Sequence, residues 1–230
     1  MNKLGLLGGM SYESTQIYYR IINQEINKKL KKSHSAELVM YSFDYRELEV
    51  LLEQNRWDLI EKRLIEEGLK LKSIGAKGLI LCANTVHQVQ DQVESGVGLP
   101  LISIVKETYE AVRSKNIKKV GLIGTLYTMK SGMYQSYFKE HGFEIVLPST
   151  EDQQFIHHVI YQELVVGIYH EESRKRIIHI IESMHVDGII LGCTELPLLI
   201  LDKHLHIHRF DTMDIHAKAA AKWMLEGVKS

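Results

Sequence analysis

The chain contains itself twice. Lys77-Gly78-Leu79-Ile80-Leu81-Cys82-Ala83-Asn84-Thr85 lines up with Asp187-Gly188-Ile189-Ile190-Leu191-Gly192-Cys193-Thr194-Glu195. Each stretch is an apolar run that breaks into small residues and then into a helical pattern. Gly5-Leu6-Leu7-Gly8-Gly9 matches Gly121-Leu122-Ile123-Gly124-Thr125, in the same order and at similar spacing. Short apolar strands separated by helical segments are the mark of βαβ units and mainly parallel sheets. The expected fold class is therefore α/β, with two pseudo-symmetric domains, each a mainly parallel sheet flanked by helices. The expected boundaries are residues 1–99 plus about 209–230 for the first domain and 100–208 for the second. The turn at Pro100 marks the join.

Periodicity fills in the elements. Strands are expected at Lys3–Leu7, Leu38–Phe43, Gly78–Cys82, Leu101–Val105, Val120–Ile123, Glu144–Leu147, Gly188–Leu191 and Ile207–Phe210. Ser11 reads as the cap of a helix reaching about Lys31. Further helices are expected at Glu47–Gln54, Asp58–Ser73, Val86–Glu94, Thr108–Ser114, Tyr127–His141, Gln153–Val166, Glu171–Met184 and Met213–Glu226.

Composition narrows the function classes. With 28 basic and 29 acidic residues interleaved, no basic stripe for a nucleic-acid backbone and no polybasic membrane anchor stands out. No apolar run has the length of a membrane span. The residues after Met1 run straight into a glycine turn rather than a signal peptide, so a cytoplasmic protein is expected. Two cysteines do not make a secreted disulfide framework. The 12 histidines show no ligand spacing with carboxylates or thiols, so no metal site is expected.

Ligands of open parallel sheets bind beyond the carboxyl ends of the strands. Four loops at such ends, 8–11, 82–86, 124–128 and 192–195, are expected to face one cleft between the domains. Cys193 opens a helix there, where amide dipoles lower a thiol pKa, and Gly192 is expected to leave the sulfur accessible. Such a thiolate serves as a nucleophile or general base. Asn84 and Thr85 at the partner helix start suit a carboxylate. Thr194 offers a hydroxyl beside the thiol, and Met10 and Thr125 stand in the remaining loops. The first loop lacks both G-x-G-x-x-G and a Walker pattern, and no G-x-S-x-G turn occurs.

These residues together carry a resemblance. Gly5-Leu-Leu-Gly-Gly-Met-Ser-Tyr-Glu-Ser14, Asn84-Thr85-Val86-His87, Gly192-Cys-Thr-Glu195 and Phe210-Asp211-Thr212 with Ile215-His216-Ala217 resemble the aspartate/glutamate racemase family over essentially the whole chain. The resemblance implies a homodimer and racemisation of a small amino acid without pyridoxal phosphate or another cofactor. It also implies two facing cysteines that exchange the α-proton. Cys193 matches the second, while the first falls on Ala83. The candidates for the second acid/base are then water, Thr85, His87 and a displaced Cys82. Cys82 lies one residue early, and strand alternation points it away from the cleft. The family's substrate-binding lysine has no counterpart in Tyr161–Gly167, where Val165 and Val166 stand; Arg46 matches a substrate-binding arginine. The alternatives are a single-thiol decarboxylase or isomerase of a small diacid, and a non-catalytic carboxylate binder.

Overall fold

The computed structural model describes residues 1–228 and divides into two compact units, residues 1–103 with the end of the chain from His216, and residues 104–215. Strands β1 (Leu4–Gly8), β2 (Leu38–Ser42) and β3 (Gly78–Leu81) form the first sheet in the order β2-β1-β3. Both pairings are parallel. Helix α1 (Tyr12–Leu30) follows β1, and α2 (Tyr45–Glu53) and α3 (Trp57–Ser73) follow β2. A 3₁₀ turn, Thr85–Val89, and α4 (Gln90–Val97) follow β3. β1 and β3 are buried throughout, as their uncharged sequences require of strands covered on both faces.

The second unit opens with α5 (Ile104–Arg113). Its sheet is built from β4 (Lys119–Gly124), β5 (Glu144–Val146), β6 (Gly188–Gly192) and β7 (His208–Asp211), ordered β5-β4-β6-β7 and wholly parallel. Between them lie α6 (Leu126–Lys130), α7 (Met133–Glu140), α8 (Thr150–Gln162), α9 (Glu171–Ser183) and the four-residue α10 (Leu196–Leu199). Helix α11 (Thr212–Glu226) closes the chain. Alternation along the strands sorts the core into two layers. Leu122 and Ile190 pack with Val112 and Phe138 on one face, while Ile123, Ile189 and Leu191 pack with Ile156 and Ile177 on the other.

The internal repeat is a repeat of topology. The order β2-β1-β3 corresponds to β5-β4-β6, and even the fourth strand has a trace in the first unit. There Leu101 makes one parallel bridge to Leu79. The glycines of the repeat have matching tasks. A Cβ on Gly5 would lie 2.6 Å from Leu79 Cδ2, and one on Gly121 would lie 2.7 Å from Ile189 Cδ1.

Several expectations need correction. Leu101–Val105 is not a strand, because Pro100 and Ile102 supply only two backbone bonds to Leu79 before α5 starts at Ile104. The helix expected over Tyr127–His141 is broken between Lys130 and Met133, where Gly132 takes φ 78°. The one expected over Gln153–Val166 stops at Gln162 and continues as a 3₁₀ turn, Leu164–Val166. The segment Val86–Glu94 likewise starts as 3₁₀. Ser11 occupies the cap position of α1 without a side-chain cap bond; Thr15 holds that turn, accepting from Gly9 N–H at 2.8 Å and donating to Ser11 O. Finally, β7 pairs with β6, so the last strand stays in the second sheet, and the chain rejoins the first unit at His216 rather than near 209.

Candidate active site

The sheet registers give the repeat a structural basis. Leu7 pairs with Leu81, and Ile123 with Leu191, so counting outward sets Cys82 level with Gly192 and Ala83 level with Cys193. Each residue therefore stands just beyond the carboxyl end of the equivalent strand, β3 or β6, in its own sheet.

In the second unit, Cys193 emerges from β6 on the face shared by Ile189 and Leu191 and is 8% exposed. Its Sγ donates to Glu195 Oε2 at 3.0 Å, and Thr194 Oγ1 donates to the same oxygen at 2.7 Å. Glu195 is itself buried. Burial foremost, and then the charge and hydrogen bond of Glu195, raise the Cys193 thiol well above its ordinary range. The backbone N–H groups of Glu195 and Thr194 pull the other way. The lowered pKa expected from a helix start is thus reversed, since the helix that follows has four residues and its dipole is small against a neighbouring carboxylate. Gly192 also differs from its expected part. A Cβ there would stand 2.9 Å from Leu122 Cδ1 and 3.1 Å from Ile123 O, so its bareness lets the strands close rather than opening a path to the sulfur.

Gly124 pairs with Gly192, which brings the Thr125 loop alongside the cysteine loop. Thr125 caps α6, accepting from Thr128 N–H at 3.2 Å. His157, on α8, accepts from Leu126 N–H through Nδ1 at 3.2 Å and lies between the rings of Tyr127 and Tyr161. That bond sets its proton on Nε2. Burial, then His158 and Lys130, lower its pKa.

In the first unit, Met10, Arg46 and the pair Asn84–Thr85 follow β1, β2 and β3 at one end of the sheet. Met10 and Asn84 are buried, whereas Thr85 is partly exposed. Arg46 is exposed and already engaged, by Glu49 at 2.6 Å and Glu53 at 3.2 Å. Cys82 is fully buried, and burial raises its thiol pKa far out of use. His87 is buried too, its Nδ1–H donating to Ala83 O at 2.8 Å and its Nε2 without a hydrogen-bond partner. Burial lowers it to about 4. Its ring meets that of His216 edge-on. His216 Nε2–H donates to Ile102 O at 2.7 Å, and Nδ1 accepts from Tyr18 at 3.0 Å. Burial, and then His87, lower His216 to about 3.

Among the described residues no cluster of three His, Cys, Asp or Glu side chains is arranged to hold a metal ion, and no helix is long and apolar enough to cross a membrane. Sequence reasoning did not single out Glu195, the acid bonded to Cys193, or His157, which accepts from the Leu126 N–H. Glu195 carried a usable signal, an acid two places after the cysteine at a strand end. His157 carried none, because its partner is 31 residues away.

The family model for Asp/Glu/Hydantoin racemase matches residues 7–220. The chain belongs to that family. A Yersinia pestis protein described as an Asp/Glu racemase candidate superposes with a TM-score of 0.91 at 40% identity, covering 98% of this chain and 100% of that one. PH1733 of Pyrococcus horikoshii OT3, an aspartate racemase homologue, gives 0.82 at 32% identity, over 97% and 99% of the two chains. Among curated relatives, the broad specificity amino-acid racemase RacX of Bacillus subtilis is 26% identical over 139 residues, which are 60% of this chain and 61% of that protein. The aligned stretches of the first curated relatives thus cover less than two thirds of those proteins.

Proposed function

We propose that this family member is a racemase of aspartate, glutamate or a related small amino acid, and that Cys193 moves the α-proton without a cofactor. The observation that carries the reading is the bond from the Cys193 thiol to the buried Glu195 carboxylate. A thiol with a raised pKa is a poor base alone, but here an acceptor stands 3.0 Å away. Transfer of the proton from Sγ to Glu195 Oε2 leaves a thiolate beside a neutral acid. The thiolate is then held by the amides of Thr194 and Glu195. It takes the α-proton: the C–H bond breaks, an S–H bond forms, and the electron pair spreads into the substrate carboxylate. Asn84, Thr85, Thr125 and Thr194 are the polar side chains we assign to holding that substrate, with Met10 as an apolar contact, because polar groups near the developing negative charge favour its formation.

Racemisation needs a second proton on the other face of the carbon. Ala83 brings no acid to the position that Cys193 fills in the repeat. Cys82 is sealed in the core, and the one N–H of His87 is committed to Ala83 O. Thr85, or a water beside it, is our assignment for the donor, and His87 a residue that positions the loop. Arg46, held by two glutamates, acts on a second acidic group only after leaving them. The absence of a thiol at 83 also favours one other reaction, decarboxylation of a small diacid, which needs a proton on one face only.

The test is incubation of the wild type and Cys193→Ser with a panel of L- and D-amino acids in deuterium oxide. Deuterium at the α-carbon with the wild type, and none with Cys193→Ser, is the expected result, since serine is a far weaker base at similar volume. Exchange that survives the substitution places the chemistry elsewhere. Decarboxylation of a malonate-type diacid without α-exchange of any amino acid selects the second reaction. A homodimer, expected from the resemblance, is checked by sedimentation velocity.

A further inference from the structure

In the first unit, the C-terminal part of α1 and the middle of α11 wall a groove of about 450 Å³. Lys28, Lys29 and Lys31 line it from α1 and its cap, and Lys218 and Lys222 from α11. Glu25 is the single carboxylate of the lining, 3.9 Å from Lys28. The chain as a whole is almost neutral, with net charge -1, so five lysines gathered on one groove depart sharply from its average surface.

Cations in the last turn of α1 complement the carboxyl end of its dipole, which accounts for Lys28, Lys29 and Lys31. Lys218 and Lys222 stand in the middle of α11, four residues apart, with Asp214 and Glu226 a further four residues out along the helix. A concave wall concentrates the positive potential of both helices into the same space. The volume lies in the range of small-molecule sites rather than of a stripe that tracks a long backbone. Ala221, fully buried, and Leu225 give the groove an apolar floor.

We propose that this groove binds a small, multiply charged phosphate compound through its polyphosphate chain, with the lysines as point charges on the phosphate oxygens. The occupant would bridge α1 and α11, the two helices already joined by the bond between Tyr18 and His216. The proposal is independent of the α-proton chemistry, because none of its residues belongs to that site.

The experiment is calorimetric titration of the intact protein with sodium tripolyphosphate at neutral pH and physiological ionic strength. Saturable binding of one equivalent is expected. The double variant Lys218→Gln/Lys222→Gln should bind about tenfold more weakly or worse, while Lys115→Gln/Lys139→Gln in the second unit should bind as the wild type does. Circular dichroism shows whether each variant is folded, and slowed hydrogen exchange in α1 and α11 on adding tripolyphosphate locates the site even if a variant misfolds. Absence of saturable binding, or equal binding by the Lys218/Lys222 variant, overturns the proposal. Tighter binding of a single-stranded oligonucleotide than of tripolyphosphate also overturns it, in favour of a nucleic-acid surface.

Discussion

At the scale of single residues, the chemistry turns on what surrounds Cys193. Glu195→Gln keeps the size of the side chain but removes the acceptor for the thiol proton. The expected result is a kcat lower by about 10²–10⁴-fold with KM little changed, the usual range for loss of a general base. A kcat within a few-fold of wild type would reduce Glu195 to a structural partner. Ala83→Cys tests the other half of the reading. With a thiol there, racemisation should rise in both directions. A rise in one direction only would show that the native donor on that side already suffices, with Thr85 the first suspect. The sequence made Cys193 visible through the repeat, yet it gave the wrong sign for its pKa. The reason is local: a helix of four residues contributes little field, and the orientation of Glu195 depends on a turn that no periodicity encodes.

At the scale of elements, close contact between β4 and β6 is what holds the cysteine loop in place. A Cβ on Gly124 would stand 2.8 Å from Gly192 O, a backbone atom that cannot rotate out of the way. Gly124→Ala should therefore destabilise the protein by about 1–3 kcal/mol, read as a lower urea midpoint, and reduce activity because the displaced residue adjoins Cys193. An unchanged midpoint would mean that the strands part without cost. Strands of this protein were legible because uncharged runs such as Gly188–Gly192 admit little else. Helix breaks were not. The interruption at Gly132 depends on one left-handed residue, and the stop at Gln162 on a local change at Glu163, whose φ is −121°. The trace of a strand at Leu101 was overread, since apolar residues around a proline look alike whether they pair once or five times.

At the scale of the whole molecule, two buried imidazoles set a pH limit. His87 and His216 remain neutral in the folded chain, with pKa values lowered by burial to about 4 and about 3. In the unfolded chain both take up protons near the ordinary value of about 6.5. Below that pH the unfolded state binds more protons than the folded one, so stability is lost as pH falls from about 6.5 toward 4. The slope approaches about 1.4 kcal/mol per pH unit for each histidine once its unfolded form is fully protonated. Urea unfolding followed at pH 7 and pH 5 checks this, with His216→Asn flattening the profile; an identical profile in that variant would remove His216 as a source. The repeat also predicts where a ligand should lie. In a crystal structure with a bound amino acid, the Cβ atoms of residues 83 and 193 should flank its α-carbon, and their separation onto different surfaces would end the two-face reading.

The shielded sulfur of Cys193 has a consequence for survival under oxidative stress. Peroxide attacks thiolates, and the first product, a sulfenic acid, is the step from which irreversible over-oxidation proceeds. A thiol that is 8% exposed and hydrogen-bonded to a carboxylate rests in its protonated form. The catalytic thiol is thus dormant between turnovers, and the residue on which the proposed activity depends should outlast ordinary surface thiols in an oxidising medium.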